Sequence, residues 1–407
     1  MQPQKLLEIT GEALTAMTQQ QDRLVIIVGG GIGGLASALA LALKGIRSIL
    51  LEQSAEFREV GAGIQLGPNV FRRFERLGIR QQIEADAVFP HNLIMRDALT
   101  GEEVTRMPLG KQLIARFGMP YAVTHRADLH GTLLQACRAQ PLIELRNNAK
   151  VIGHTDDGDG VSVTLADGER VSGHCLVACD GLWSAMREHI VDDGKPRVSG
   201  HIAYRAVLPI DEVPVNQRED NVVLWAGPKT HLVHYPLRRG ELYNLVAVFH
   251  SNRYEEGWNA FGDPDELTER FANQQPEVMT LLGKIESWRM WVLCDREPVA
   301  DWTKGRVTLL GDAAHPMLQY LAQGACMAIE DAVCLADCLS ASRADPNKAF
   351  IAYQKERYLR TARVQVMARV YGDFYHAAGP VRELRNQALS GRTVDQAYDG
   401  NAWLYGG

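Results

Sequence analysis

Five glycines fall within six positions, Gly29, Gly30, Gly31, Gly33 and Gly34, and no other stretch constrains the fold as strongly. Before them runs an apolar segment, Leu24 to Val28, which reads as a buried strand; after them come an Ala/Leu-rich helical stretch, Gly45, and a second apolar strand, Ser48 to Leu51, ending in Glu52. The glycines fit G-x-G-x-x-G at Gly29, Gly31 and Gly34, with Glu52 eighteen positions past Gly34. Strand, tight turn, helix, strand and acid in that order form a dinucleotide-binding βαβ unit. Gly29 permits the turn, Gly31 lets backbone approach a pyrophosphate at the helix N-terminus, and Gly34 lets helix pack on strand. Glu52 is expected to accept hydrogen bonds from ribose hydroxyls.

Residues 24–43 carry no charge, which is long enough for a membrane span. Five glycines make a poor helix interior, so a chain with no membrane span is expected. A net charge of −6 gives no reason to expect nucleic acid as a partner. Seven cysteines, at 137, 175, 179, 294, 326, 334 and 338, lack paired zinc spacing; free thiols in a reducing cytoplasm, and no metal site, are expected. Residues 1–22 have no basic, then apolar, secretion pattern and read as an N-terminal extension.

Along the chain, Gly61-Ala62-Gly63 reads as a loop able to run close to a planar cofactor. Pro68 to Leu77 reads as a helix stopped by Gly78, and a further helix carries Arg126 in its first turn. A buried strand from Leu176 ends in Asp180-Gly181; Gly305 to Leu310 ends likewise in Gly311-Asp312, followed by Gln319, Gly324 and a helix from Ala325 to Leu339. Between these lie strand formers at 201–208, 222–226, 231–237, 242–250 and 289–294. One helix interrupts them, with Asp263 as N-cap and Glu266 at the capping-box position. The period of two puts His231, Val233 and Tyr235 on one face of their strand and His234 on the other. Asp345-Pro346 opens a long helix to about Tyr375, whose arginines 357, 360, 363 and 369 read as a solvated face. The tail reads as loop plus a helical turn, with Trp403 and Tyr405 available for docking.

The expected fold is therefore α/β. Residues 23–197 and 298–375 form a discontinuous Rossmann-like unit, 198–297 an antiparallel-sheet unit for substrate, and 376–407 a C-terminal tail.

The ordered triple GxGxxG…E, DG and GD, with an antiparallel insert before the last, resembles the class A FAD-dependent aromatic hydroxylases, as do VGAGIQLGPN (60–69), THRADLHGTLL (124–134), CDREPVADW (294–302) and HPMLQYLAQGACMAIEDA (315–332). The resemblance covers nearly the whole chain after residue 22. It implies a para-hydroxybenzoate-hydroxylase-like fold, FAD and NADH as cofactors, and O₂ and a small aromatic acid as reactants. The acid it implies is 3-hydroxybenzoate, oxidised to gentisate (2,5-dihydroxybenzoate) through an oxygen adduct at flavin C4a. Salicylate, 6-hydroxynicotinate and a non-catalytic binding role on the same fold are the alternatives. A flavin halogenase is disfavoured because Trp288-Arg-Met-Trp291 lacks that family's continuation. The resemblance assigns Gly29, Gly31, Gly34 and Glu52 to the ADP half of FAD. Asp180 and Gly181 serve the pyrophosphate and nicotinamide region, Gly311 and Asp312 the ribityl chain, and Arg126 the flavin. Residues matching the substrate site are His231, Tyr235 and Gln319. His231 suits a catalytic base because an unperturbed imidazole titrates near neutral pH. Gly324 and Ala325 open a helix whose N-terminus faces the anionic edge of reduced flavin. A homodimer stays open as the assembly.

Overall fold

A computed structural model describes residues 23–58, 61–252 and 260–406; the expected N-terminal extension lies outside them. Two sheets divide the work. The first has six strands in the order Thr303–Lys304, Val307–Leu309, Cys175–Ala178, Val25–Val28, Ser48–Leu51, Ile143–Arg146, parallel except for the edge hairpin at 303–309. Val25–Val28 is buried at every position, as a strand covered on both faces must be. Strand order reverses beside it, because the chain crosses to Ser48–Leu51 on one side and later lays Cys175–Ala178 on the other. The crevice at such a reversal is where an α/β sheet accepts ligands. Three adjacent strands end there in Gly29, Cys179-Asp180 and Leu310-Gly311-Asp312.

The second sheet has seven strands in the order Arg289–Asp295, Arg197–Pro209, Leu242–His250, Thr230–Leu237, Val222–Gly227, Asn92–Asp97, Glu103–Pro108. The first five in that order follow the expected spans closely. The hairpin at 92–108 joins its edge, with Asn92–Asp97 parallel to Val222–Gly227, so the sheet also draws on an earlier stretch of chain. One face packs Ile202, Tyr204, Leu232, Leu245 and Phe249 against the helices Pro264–Phe271 and Pro276–Leu282. The other face carries His201, Arg205, His231 and Tyr235.

Several local expectations need correction. Asp263 does cap its helix, accepting from Asp265 N–H, but Glu266 does not close a capping box. Its carboxylate accepts from Tyr204 and Ser251, and Asp263 N–H donates to the Tyr204 hydroxyl. The strand-rich region holds a second helix at Pro276–Leu282. The tail forms two helices, Gly379–Ser390 and Val394–Tyr405, the latter opened by a Thr393/Gln396 capping box.

Of the four arginines of helix Pro346–Tyr375, Arg363 is exposed as expected, but Arg357, Arg360 and Arg369 do not form a solvated face. Arg357 bonds Glu330 at 2.7 Å and Asp331 at 2.6 Å, Arg360 bonds Glu330 at 2.6 Å, and Arg369 bonds Asp295 at 2.6 Å. Arg363 lies over the Trp403 ring, 4.2 Å from its centre. Their acids sit on other elements, so the pattern along one helix cannot reveal them. Among the described residues no helix is long and apolar enough to cross a membrane.

Candidate active site

The glycine cradle is sterically specified. A Cβ at Gly34 would lie 1.9 Å from the Gly29 carbonyl oxygen, and one at Gly29, whose φ is +104°, would lie 2.3 Å from that of Cys179. Helix Ile32–Leu43 has no capping side chain and no acid in its first turn, so its leading N–H groups and dipole stay available to an anion. Glu52 reaches the same loop: its Oε2 accepts Gly30 N–H at 2.7 Å and its Oε1 accepts Ser54 N–H at 2.8 Å. A carboxylate has further lone pairs to offer ribose hydroxyls. Sequence reasoning missed His130, whose buried Nε2–H donates to the Gly30 carbonyl at 2.8 Å and fixes the loop from behind.

The second and third glycine motifs are tied together. Asp180 accepts from the Ser184 hydroxyl at 2.6 Å and from Met186 N–H at 3.2 Å, which folds the chain from Gly181 (φ +79°) into helix Ala185–Ile190. Burial raises its carboxyl pKa against those bonds. Arg187 on that helix is buried; it donates to the Ala313 carbonyl at 3.0 Å and to Asp193 at 2.6 Å. A guanidinium thus locks the Asp180 turn to the Asp312 loop, and only its adjacency to the Asp-Gly motif could have signalled it.

Asp312 is exposed at the sheet end, and a Cβ at Gly324 would sit 3.7 Å from its Oδ1, so both line one mouth. Helix Gly324–Ala341 likewise begins with no capping side chain and no first-turn acid. It is anchored one turn further on: Asp331 accepts from His315 at 2.5 Å and from Gly311 N–H at 3.2 Å, while Asn69 donates to Glu330 at 2.8 Å. The surrounding arginines and, for Asp331, His315 outweigh the upward push of burial and hold both acids down at about 2.

Arg126 starts helix Arg126–Arg138, and its side chain fills the space that a Cβ at Gly61 would need, 2.7 Å away. A Cβ at Gly63 would meet the Tyr235 ring at 2.5 Å, and Gly63 N–H donates to Asn244 at 2.7 Å. The Gly61–Gly63 loop therefore runs between the cradle and the second sheet because it lacks side chains at both glycines.

On that sheet, strand register places Tyr235 opposite Asn244, Val233 opposite Val246 and His231 opposite Val248. Arg205 is also opposite Val246, so it lies level with the middle of the His231–Tyr235 span. At about 3.4 Å per residue that span is roughly 14 Å along the strand. Arg205 bonds Gln319 Oε1 and packs over the Trp291 ring at 4.7 Å, and its Nε is buried with no hydrogen-bond partner. Desolvation lowers its pKa to about 10. Nearby, the Tyr121 hydroxyl bonds Gln65. The structure thus brings Tyr235 and Gln319 to one place through Arg205, a residue that sequence reasoning passed over.

His231 is buried, with Nδ1 2.7 Å from His376 Nε2, and burial pushes its pKa down to about 3. The unperturbed value that made it attractive as a base does not apply here. His234, on the other face, is held between Trp225 Nε1–H at 3.0 Å and the Tyr243 hydroxyl at 2.7 Å, a satisfied core histidine.

These features fit a dinucleotide flavin: two helix N-termini free of caps, a glycine loop with no room for Cβ atoms, and an acid, Glu52, bonded to that loop. A family model described as an FAD binding domain matches residues 22–368. The 3-hydroxybenzoate 6-hydroxylase 1 of Aquipseudomonas alcaligenes is 45% identical over 383 residues, 94% of this chain and 97% of that one. The 3-hydroxybenzoate 6-hydroxylase of Klebsiella oxytoca is 45% identical over 381 residues, 94% and 96% of the two chains. The crystal structure of Klebsiella pneumoniae HpxO with FAD and uric acid superposes with a TM-score of 0.84 at 27% identity, covering 95% of this chain and 98% of that one.

Proposed function

This chain belongs to the FAD-binding family of flavin-dependent aromatic hydroxylases, and from that membership we propose that it oxidises 3-hydroxybenzoate to gentisate with NADH and O₂. The observation that carries the substrate is the 45% identity, over nearly the full length of both chains, with relatives named for that reaction. In this reading residues 23–197 and 298–375 hold FAD, while 198–297, widened by the hairpin at 92–108, face the substrate.

Gly29, Gly31, Gly34 and Glu52 hold the ADP half, Asp180 and Gly181 the pyrophosphate region, and Gly311 and Asp312 the ribityl chain. Arg126 meets the flavin, and the N–H groups from Gly324 and Ala325 face its anionic edge. Bound FAD would supply the redox chemistry that links NADH and O₂ to oxygenation of the ring. The protein's part is to make that ring electron-rich and keep it dry. Tyr235 and the Arg205–Gln319 pair hold the acid at one end, and His231 receives the phenol through Nε2, since His376 takes Nδ1. Burial drives the His231 imidazole far below a phenol in basicity. His231 can accept the hydrogen bond and pass the proton, but it cannot keep it.

A cytoplasmic setting and a homodimer belong to this reading. The test is product identification. Purified holoprotein given 3-hydroxybenzoate, NADH and air should form gentisate with equal NADH and O₂ consumption. A preference for salicylate or 6-hydroxynicotinate would move the substrate assignment, and no NADH response to any phenolic acid would remove it.

A further inference from the structure

Two thiols and a carboxylate meet where helix Gly324–Ala341 packs against helix Pro346–Tyr375. Cys334 and Cys338 are four positions apart on the first helix, so the helical repeat stacks them on one face. Glu356 comes from the second helix, and the two Sγ atoms and a carboxylate oxygen all lie within 4.8 Å of one another. Cys334 is buried, Cys338 half-buried and Glu356 exposed, so the group opens to water on one side. Sequence spacing shows no second cysteine pair; the third donor enters only when the helices pack.

The helix crossing is fixed beside this group, because Arg357 bonds Glu330 at 2.7 Å and Asp331 at 2.6 Å. Nearby charges are engaged elsewhere. Arg360, one turn beyond Glu356, bonds Glu330 at 2.6 Å, and Asp337 bonds Lys44 at 2.8 Å and Arg76 at 2.7 Å. That leaves Glu356 facing the two sulfurs.

A disulfide between the thiols fits the helix poorly. Side chains four apart on a helix hold their Cβ atoms about 5–6 Å apart, whereas a disulfide needs about 3.5–4.5 Å. An ion held by two metal–sulfur bonds of about 2.3 Å at a tetrahedral angle needs sulfurs about 3.8 Å apart, within about 1 Å of the spacing found. The Cys334 thiol donates to the Cys338 sulfur, which lowers the Cys338 pKa and favours the thiolate a metal takes.

We infer that Cys334, Cys338 and Glu356 form a site for a thiophilic divalent cation, zinc by ligand type, with water in the fourth position. Two thiolates select a soft or borderline ion, and the carboxylate favours zinc over copper(I). On binding, both thiols release their protons to solvent, so two S–H bonds break as two metal–sulfur bonds and one metal–oxygen bond form. The ion would pin helix Gly324–Ala341, whose first turn the reading above sets at the flavin, to helix Pro346–Tyr375. The site stands whichever phenolic acid is the substrate.

The test uses reduced holoprotein and cadmium chloride, because cadmium–thiolate bonds give an ultraviolet charge-transfer absorption that imidazole and carboxylate sites lack. One equivalent should develop that absorption, and zinc chloride should displace it. Cys338→Ser should lose at least half of the absorption and weaken zinc binding, measured against a chromophoric chelator, by about 100-fold or more; Glu356→Gln should keep the absorption and weaken zinc by about tenfold. Flavin content and coupling should stay at the wild-type values in both, and zinc should raise Tm in wild type more than in either variant. Because Glu356 is exposed, its variant decides the matter if Cys338→Ser does not fold. No thiolate absorption in excess cadmium, or zinc affinity within about threefold of wild type in every variant that folds, would overturn the site. So would zinc binding that survives in Cys338→Ser and is lost in His250→Gln, since His201, His250 and His376 also lie close enough to surround a cation.

Discussion

The two sides of the site are built on opposite electrostatic plans. On the cofactor side, glycine backbone and helix dipoles await an anion, backed by buried ion pairs in which Arg357 and Arg360 hold Glu330 and Asp331 ionised. On the substrate side, the polar interior consists of imidazoles and phenols that burial keeps neutral, with Arg205 the nearby cation. A site that only binds a phosphate can be assembled from fixed charge. A site that must hold a phenol can instead be built from neutral groups that accept and donate hydrogen bonds.

If that contrast is right, the largest effect comes from the backbone cradle. Gly34→Ala places a methyl 1.9 Å from a carbonyl oxygen, so the loop must open. We expect colourless protein that does not take up FAD, read from the flavin spectrum after reconstitution; a yellow variant would break the cradle argument.

Next, on the opposite side, His231→Ala should retain flavin but lose the phenol's acceptor. Hydroxylation should fall by about 10²- to 10⁴-fold, with a larger share of NADH oxidation ending as hydrogen peroxide. Rapid-quench product analysis with a peroxide assay measures both, and unchanged coupling would remove His231 from the chemistry.

Arg357→Met probes the ion pairs. Removing one member of a buried pair costs about 3–5 kcal/mol by leaving the other charged and unmatched. A fall in Tm of about 10 °C or more is expected, with kcat changed far less than in His231→Ala.

The cofactor side was largely legible in the sequence and the substrate side was not, for the same physical reason. Phosphate binding depends on local backbone geometry, so Gly29 to Glu52, Asp180-Gly181 and Gly311-Asp312 announce themselves over short spans. The helices starting at Pro68 and Pro346 and the strand at 48–51 were equally plain because caps and periodicity are local. Partnerships across the chain leave no such trace. His376 is 145 residues from His231, and Arg205 is 114 from Gln319. Arg357, Arg360 and Arg369 do not form the solvated face expected of them because their partners, Glu330, Asp331 and Asp295, sit on other elements. Two misses did have a local signal: the Thr393/Gln396 capping box and Pro276 at a helix start.

Acid separates the two sides by which fails first. His201, at about 4, and His231 and His234, at about 3, titrate well below the unfolded value of about 6.5. Between those limits the unfolded chain binds more protons, so stability is full above pH 6.5 and falls as pH drops toward 3. At pH 5 each such histidine costs about 2 kcal/mol (1.5 units). Glu330 and Asp331, depressed to about 2, begin to lose their contribution only below about pH 4.5. Urea midpoints measured from pH 8 to 5 should therefore decline before Glu330 or Asp331 is titrated, and a flat profile would contradict neutral burial of the imidazoles.

The smallest effect on catalysis is expected from His234→Gln, which asks whether the strand's two faces are independent. His231 and His234 are three residues apart, both buried and both pushed to about 3, yet their partners differ in kind. His234 ends in Trp225 and Tyr243, whose hydroxyl also donates to the Gln217 carbonyl at 3.0 Å, so its bonds stop inside the core. His231 continues through His376 to half-buried His250. Disturbing the closed set should cost about 1–3 kcal/mol of stability by leaving a buried donor unmatched, while product yield per NADH stays at the wild-type value. If coupling falls in His234→Gln as it does in His231→Ala, the sheet transmits strain between its faces, and the role given to His231 cannot rest on which face it occupies.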